Sequence, residues 1–265
     1  MPLRNKKPII AVLGMTCCEG CRVAIVDLGE RFLKLAGHII VGDFPFIQEH
    51  AKKKSFDLTF IEGTPILPSQ IEEIKEIRRR SKVLVPIGAC ACLGGIQEIK
   101  NYRGDKENCL QYVYKNVDQI ANPDIKPISA YVPVDFELTG CPINKDELFE
   151  FTKKILAGDV FRVPQRPICY ECQRKQNECL LQKGLPCIGP VILGGCGAPC
   201  PSVGYPCDGC RGPLQKTGKN FDNLKKILNN HGYNEREIEM ITERFGGRDQ
   251  IENKLKPQNT NENKN

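Results

Sequence analysis

Fifteen of the 265 residues are cysteine, and eight of these lie between Cys169 and Cys210. They run C-x2-C-x6-C-x7-C, then, after a gap of eight residues, C-x3-C-x6-C-x2-C, punctuated by Gly and Pro rather than by apolar residues. Four thiolates are what a structural zinc or a cubane iron–sulfur cluster takes. Eight are two such sets, so the tract reads as two metal centres side by side, with electron transfer as the leading chemistry. Seven more cysteines lie upstream: Cys17, Cys18, Cys21, Cys90, Cys92, Cys109 and Cys141. Cys18 and Cys21 form a C-x2-C pair, and Cys90 and Cys141 supply one thiol each from distant segments, which makes a third set of four. Adjacent side chains project in different directions, so Cys17 is set aside, as is Cys92. Cys109, in a helical stretch around residues 108–117, reads as a small buried hydrophobe.

These thiols need a frame that brings them together. The first 160 residues or so alternate short apolar runs with longer amphipathic stretches. Residues 8–15 (PIIAVLGM) read as a buried strand and 22–35 as the helix after it. Residues 38–41, 58–61 and 83–87 are further β-branched-rich runs. Residues 69–80 carry Ile71, Ile74 and Ile77 at helical spacing and end in three arginines that complement the helix dipole. Residues 145–156 predict another helix, with Asn144 as its N-cap. Strands alternating with helices predict an α/β fold with a parallel sheet. In such a sheet, ligands gather beyond the C-terminal strand ends, and Cys17 to Cys21, Cys90 to Cys92 and Cys141 all fall in such places. Two prolines and two arginines within residues 161–167 mark a linker. Beyond it, residues 169–213 show so little apolar periodicity that metal binding is expected to supply the folding free energy. A helical stretch over about 220–245 follows, then a charged, Asn-rich tail. The expected organisation is a domain over residues 1–163, a small Cys-rich domain over 164–247 and a disordered tail over 248–265.

Composition narrows the function. Apolar residues make up 40% and charged residues 26%, as in an ordinary globular chain. No run of 18 apolar residues exists, so no membrane span is expected, and the N-terminus lacks a signal peptide's apolar region, which predicts a cytoplasmic protein. In that setting cysteines serve as metal ligands rather than disulfides. The formal charge of +6 treats every thiol as neutral. Twelve thiolates around three clusters, each with a core charge of about +2, would bring it near zero. The basic balance therefore does not argue for nucleic acid. A zinc-stapled nucleic-acid binder is the competing class, but Trp is absent and aromatics do not interleave with Lys and Arg. The three histidines (His38, His50, His231) are widely spaced and form no nickel site.

Five pieces carry a family resemblance: CEGCRVAIVDL (18–28), IEG (61–63), GACACLGG (88–95), GCP (140–142) and the tract CYECQRKQNECLLQKGLPCIGPVILGGCGAPCPSVGYPCDGCRGP (169–213). Together they resemble the small, electron-transferring subunit of cytoplasmic NiFe hydrogenases, of the sulfhydrogenase delta and methyl-viologen-reducing hydrogenase gamma type. The resemblance implies a flavodoxin-like domain followed by an iron–sulfur domain, and three 4Fe-4S clusters. Carried over by position, the proximal cluster would be held by Cys18, Cys21, Cys90 and Cys141. The distal one would use Cys169, Cys172, Cys179 and Cys187, and the medial one Cys196, Cys200, Cys207 and Cys210. Cys169 stands where many relatives have His, and Cys200 adds a thiolate where many have a three-iron cluster, so both departures imply four cysteines per cluster. Ile143 stands where the family commonly has a second proline, which would alter the neighbouring contact with the partner.

The implied partners are a hydrogenase-type large subunit holding the nickel–iron site and a second redox subunit: a flavin diaphorase, a heterodisulfide reductase module or a ferredoxin. Backbone amides of the Gly-rich loops around Gly88, Gly94, Gly194 and Gly209 are candidate donors to cluster sulfurs. Glu19 and Glu62 stand near the proximal ligands, placed either for proton movement and tuning of potential or for structural hydrogen bonds. Tandem cysteines like Cys17-Cys18 also occur in the small subunit of complex I-type dehydrogenases, where both bind the cluster. That relative lacks the eight-cysteine tail and ranks second, alongside a wire serving a large subunit that has lost its nickel.

Overall fold

The computed structural model describes residues 7–49, 53–104, 106–118, 120, 123–163, 165–215 and 218–251. In chain order the N-terminal part holds β1 (Ile9–Gly14), α1 (Gly20–Val26), α2 (Glu30–Ala36), β2 (Ile40–Asp43), β3 (Phe56–Glu62), α3 (Pro68–Arg80), β4 (Ser81–Ile87), α4 (Gly88–Leu93), α5 (Lys106–Gln111) and α6 (Lys145–Ala157). The four strands form one parallel sheet in the order β2-β1-β3-β4. Leu138 adds a parallel bridge to Ile87 at the β4 edge. This is the strand order of flavodoxin-type doubly wound sheets, as expected.

Both faces of the sheet are covered because its strands alternate. Ile10, Val12, Leu58, Phe60, Val85 and Ile87 point to the side of α1 and α6 and pack with Ile25, Leu148 and Phe151. Ile61 and Leu84 point the other way and pack with Ile74 and Ile77 of α3. Asn144 caps α6, its side-chain oxygen accepting from the amides of Asp146 (2.8 Å) and Glu147 (3.0 Å).

The C-terminal part holds α7 (Cys169–Arg174), α8 (Pro199–Ser202), α9 (Gly218–Asn230), α10 (Glu235–Glu243) and α11 (Arg248–Ile251). Its core corrects one expectation. The Cys-rich tract contributes Leu180, Leu181, Ile188, Val191 and Ile192, which are buried against Phe221, Leu224, Leu228, Ile238, Ile241 and Ile251. Apolar burial therefore helps fold this region. It is invisible in the tract's own periodicity because half of the core arrives from helices later in the chain. Of the expected tail, residues 248–251 are helical with Ile251 buried, and residues 252–265 lie outside the described residues.

Two of the expected helices are each split in two. The helix predicted over 22–35 breaks at Gly29, whose φ of +58° suits glycine and ends a turn that an L side chain would continue. The helical stretch over 220–245 is α9 and α10, broken at Gly232 with φ +92° and restarted by a capping box between Asn234 and Glu237.

Candidate metal centres

The end of β1 delivers Cys17 to Cys21, and the end of β3 delivers Glu62 beneath them. The buried Glu62 carboxylate accepts from the amides of Cys21 (3.0 Å) and Arg22 (3.1 Å), fixing the first turn of α1. Arg22 is itself buried. Its Nη2 donates to Glu19 Oε1 (2.6 Å) and its Nε lies 3.4 Å from Glu62 Oε2. Both glutamates are thus engaged in holding the C-x2-C turn.

At the end of β4 the Gly88 amide donates to Leu138 O (2.8 Å) and that of Ala89 to Gly140 O (2.7 Å). These bonds draw Cys90, on α4, and Cys141, after which the peptide to Pro142 is cis, to the Cys18–Cys21 turn. Glycines clear the space. A Cβ at Gly88 would lie 2.5 Å from Cys21 Sγ, one at Gly95 2.7 Å from Cys90 Sγ, and one at Gly20 3.4 Å from Cys18 Sγ. The thiols lie close enough to act on one another: Cys90 and Cys141 act on Cys21, and Cys18 acts on Cys90 and Cys141. Burial, then the charge of Cys90 and Cys18, pushes Cys141 up to about 11, while burial and the Glu62 charge carry Cys21 higher still.

Cys169, Cys172, Cys179 and Cys187 form a second group of this kind. Burial and the three neighbouring thiols push Cys169 up to about 12. In the third group, Cys196 and Cys210 are each pushed up to about 11 by burial, Cys207 lies well above the ordinary thiol range, and Cys200 acts on Cys210. The expected sets of four are therefore neighbours in space.

The groups also touch each other in line. The Cys141 amide lies beside the Cys210 sulfur and favours its thiolate, and the Cys207 amide donates to Cys187 Sγ at 3.3 Å. Glu171, on the turn between Cys169 and Cys172, accepts from Gly195 N (2.6 Å) and Gly197 N (2.7 Å), clamping the loop that carries Cys196.

Within the Gly-rich loops expected to reach sulfur, the amides of Gly88, Gly94 and Gly194 themselves donate to the carbonyls of Leu138, Cys90 and Arg166. Those of Gly209, Gly189 and Ala198 lie beside the sulfurs of Cys207, Cys187 and Cys196 and favour their thiolates. In each of these three cases the amide belongs to the residue two after the cysteine. The signal for it is a small residue at that spacing: Cys187-Ile-Gly, Cys196-Gly-Ala and Cys207-Asp-Gly. At Ile143, where the family commonly has proline, the side chain packs in the core and the amide lies beside the Cys21 sulfur, supplying an N–H that a proline would lack.

The remaining thiols separate clearly. Cys92 is buried, its Sγ donating to Pro86 O at 3.4 Å. Cys17 is half-buried and its charge acts on Cys90. Cys109 is exposed, which corrects the buried reading, because its short helix lies on the surface. His38 and His231 are exposed, and His50 lies outside the described residues.

The donor set fits clusters of the expected kind. In each group at least one thiol is buried and shifted upward by burial and by its neighbours, a state that favours the neutral thiol unless a cationic group takes it as a thiolate. A cubane binds one thiolate at each iron, so its ligand sulfurs stand apart. Among the described residues, no three of His, Cys, Asp or Glu gather tightly enough to hold a single ion.

Gly88→Ala forces a Cβ against Cys21 Sγ at a φ of +86°, a strain of about 1–3 kcal/mol in addition to the displaced sulfur. We expect loss of roughly four irons per chain, whereas Gly104→Ala, which meets open space, loses none. Iron analysis of anaerobically purified protein decides, and full occupancy in Gly88→Ala would refute the cradle.

Residues 18–155 match the family model described as NADH ubiquinone oxidoreductase, 20 Kd subunit. The chain is 34% identical over 225 residues to sulfhydrogenase 2 subunit delta of Pyrococcus furiosus, spanning 83% of this chain and 93% of the relative. It is 30% identical over 258 residues to a subunit of the F420-non-reducing hydrogenase vhu of Methanocaldococcus jannaschii, spanning 84% and 88%. The fold is also similar to that of a chain in the actinobacterial-type NiFe-hydrogenase from Ralstonia eutropha H16, with a TM-score of 0.54, 17% identity, and 87% and 93% of the two chains covered.

Proposed function

Because the chain belongs to the family of the NADH ubiquinone oxidoreductase 20 Kd subunit, and within it resembles the NiFe hydrogenase small subunits of the sulfhydrogenase delta and F420-non-reducing hydrogenase type, we propose that it is the electron wire of a hydrogenase-type complex. In this reading three 4Fe-4S clusters occupy the three thiol groups. The inner one is held by Cys18, Cys21, Cys90 and Cys141, the middle one by Cys196, Cys200, Cys207 and Cys210, and the outer one by Cys169, Cys172, Cys179 and Cys187. The observation that carries it is the adjacency of the groups: Arg211, next to Cys210, exchanges hydrogen bonds with Thr139, two residues before Cys141, and the Cys207 amide donates to Cys187 Sγ at 3.3 Å.

Each bound cluster accepts and releases one electron. The chain's own residues do the rest. Thiolates anchor; the amides of Ile143, Gly189, Ala198 and Gly209 lie beside sulfur and favour the more negative state; and the two cores exclude water. Oxidation of one H2 in the partner yields two protons and two electrons, and the electrons leave singly along this chain. The inner end is the face toward a large subunit, because Cys18 and Cys141 are exposed there beside the exposed Val23 and Val26 of α1. At the outer end Cys179 is exposed, facing a second redox partner: a flavin diaphorase, a heterodisulfide reductase module or a ferredoxin. No described helix is long and apolar enough to cross a membrane. The free thiols fit a reducing compartment, and a cytoplasmic location belongs to the same proposal.

The complex purified without oxygen should be brown and carry roughly twelve irons per copy of this chain, with matching sulfide. Colourless protein carrying zinc would overturn the proposal. A second reading rests on the tandem Cys17-Cys18: Cys17 is half-buried and lies near Cys90, where a tandem-cysteine ligand of the complex I type would stand. Uptake of H2 by the complex supports the first reading, and its absence from a fully loaded complex supports a nickel-free relative.

A further inference from the structure

Arg211 follows Cys210 directly, yet it is only 2% exposed and its guanidinium reaches across the molecule. Nη1 donates to Thr139 O (2.5 Å) and to Glu147 Oε2; Nη2 donates to Glu147 Oε1 (2.8 Å) and Gly194 O (3.0 Å). Thr139 returns a hydrogen bond from its Oγ1 to Arg211 O (2.7 Å). Thr139 lies two residues before Cys141, and Gly194 two residues before Cys196. One buried fork thus grips the backbone next to an inner ligand and next to a middle ligand, while the α6 carboxylate holds it from behind. Space is reserved for it: a Cβ at Gly195 would stand 2.5 Å from Nη2. The Nε–H is buried without a hydrogen-bond partner, a costly state unless an acceptor such as a sulfur takes it.

A buried ion pair is weak evidence for stability, since apolar side chains of similar volume often serve as well. The position of this one suggests another use. We propose that Arg211, held by Glu147, is a positioning residue whose fixed charge is shared by the inner and middle clusters and biases both toward the reduced state. The inference rests on the three-cluster reading. Arginine stays protonated at any relevant pH, so the charge is permanent. An electron arriving at either cluster adds negative charge beside it and is stabilised. The cation acts on Cys196 and Cys210 of the middle group and on Cys92, which neighbours Cys21. Lying at the junction of the two groups, it favours both over the outer one.

Redox titration of the anaerobically purified complex, followed by electron paramagnetic resonance, tests this. In Arg211→Gln the inner and middle midpoints should move to more negative potential by enough to cut the reduced-to-oxidised ratio about tenfold at a fixed potential, about 59 mV for one electron. The outer midpoint should stay in place. Glu147→Gln, which removes the compensating anion, should move the same two midpoints the opposite way, and Arg211→Lys should restore most of the wild-type values. Shifts of the same sign in the Gln variants, or none with iron content retained, would overturn the proposal. If Arg211→Gln loses its iron, the sign of the Glu147→Gln shift decides alone. Wild-type complex without iron would instead remove the three-cluster reading itself.

Discussion

Cys21→Ala is expected to empty the inner site and leave the other two filled, lowering iron from roughly twelve to roughly eight per chain. Cys21 is the buried thiol of its group. Its amide is held by Glu62, its sulfur lies beside the Ile143 amide, and Gly88 is bare in order to admit it. Alanine keeps every one of those backbone contacts except the one to sulfur, so the turn survives while the ligand is lost. The middle and outer groups draw no thiol from residues before 169. In the assembled complex, H2-dependent reduction of any acceptor at the outer end should fall to background. Isotope exchange between H2 and water at the partner's active site needs no net electron transfer and should persist. Loss of exchange together with reduction would mean that Cys21→Ala damages the partner interface instead. Retained reduction would sink the relay.

Phe151→Ala should be the most destabilising single truncation in the N-terminal part. Phe151 is fully buried and meets Phe60 (6.0 Å), Phe136 (5.3 Å) and Phe161 (5.0 Å) edge-on, joining β3, the segment before Leu138, α6 and the chain leaving α6. A buried Phe→Ala change costs about 3–5 kcal/mol, and three aromatic contacts put this site at the upper end. For a domain of this size each kcal/mol is about 2–4 °C, so melting should fall by roughly 10–20 °C. Because α6 also carries Glu147, the variant should release iron sooner on warming than the wild type. Anaerobic calorimetry with iron release followed in parallel checks both, and a melting shift below about 2 °C would refute the assignment.

What is legible in the chain is local. Period-two and period-3.6 patterns place β1, β3, β4, α3 and α6 within a residue or two, and Asn144 announces its cap. The breaks at Gly29 and Gly232 are not legible, because isolated glycines are tolerated inside helical patterns. They end a helix only when the following segment packs elsewhere. The C-terminal core is hidden because its halves lie apart in sequence: Phe221, Leu224 and Leu228 recur at helical spacing, but their partners Leu180 to Ile192 sit in a Cys-rich tract with no such pattern. The exposed Cys109 defies a residue-type preference that carries no information about which face of a short helix meets solvent.

The inventory is written along the chain: which thiols come in fours, which strands end at one sheet edge, and which small residues follow the cysteines. Spacing is a local property, and the thiol chemistry follows from residue type. How the fours meet is a matter of packing between distant segments. The Cys141 amide at Cys210, the Cys207 amide at Cys187 and the Arg211–Glu147 fork join residues separated by 69, 20 and 64 positions. Contacts of that range arise when independently folded segments dock, and docking is set by the shape and burial of whole surfaces rather than by any motif along the chain.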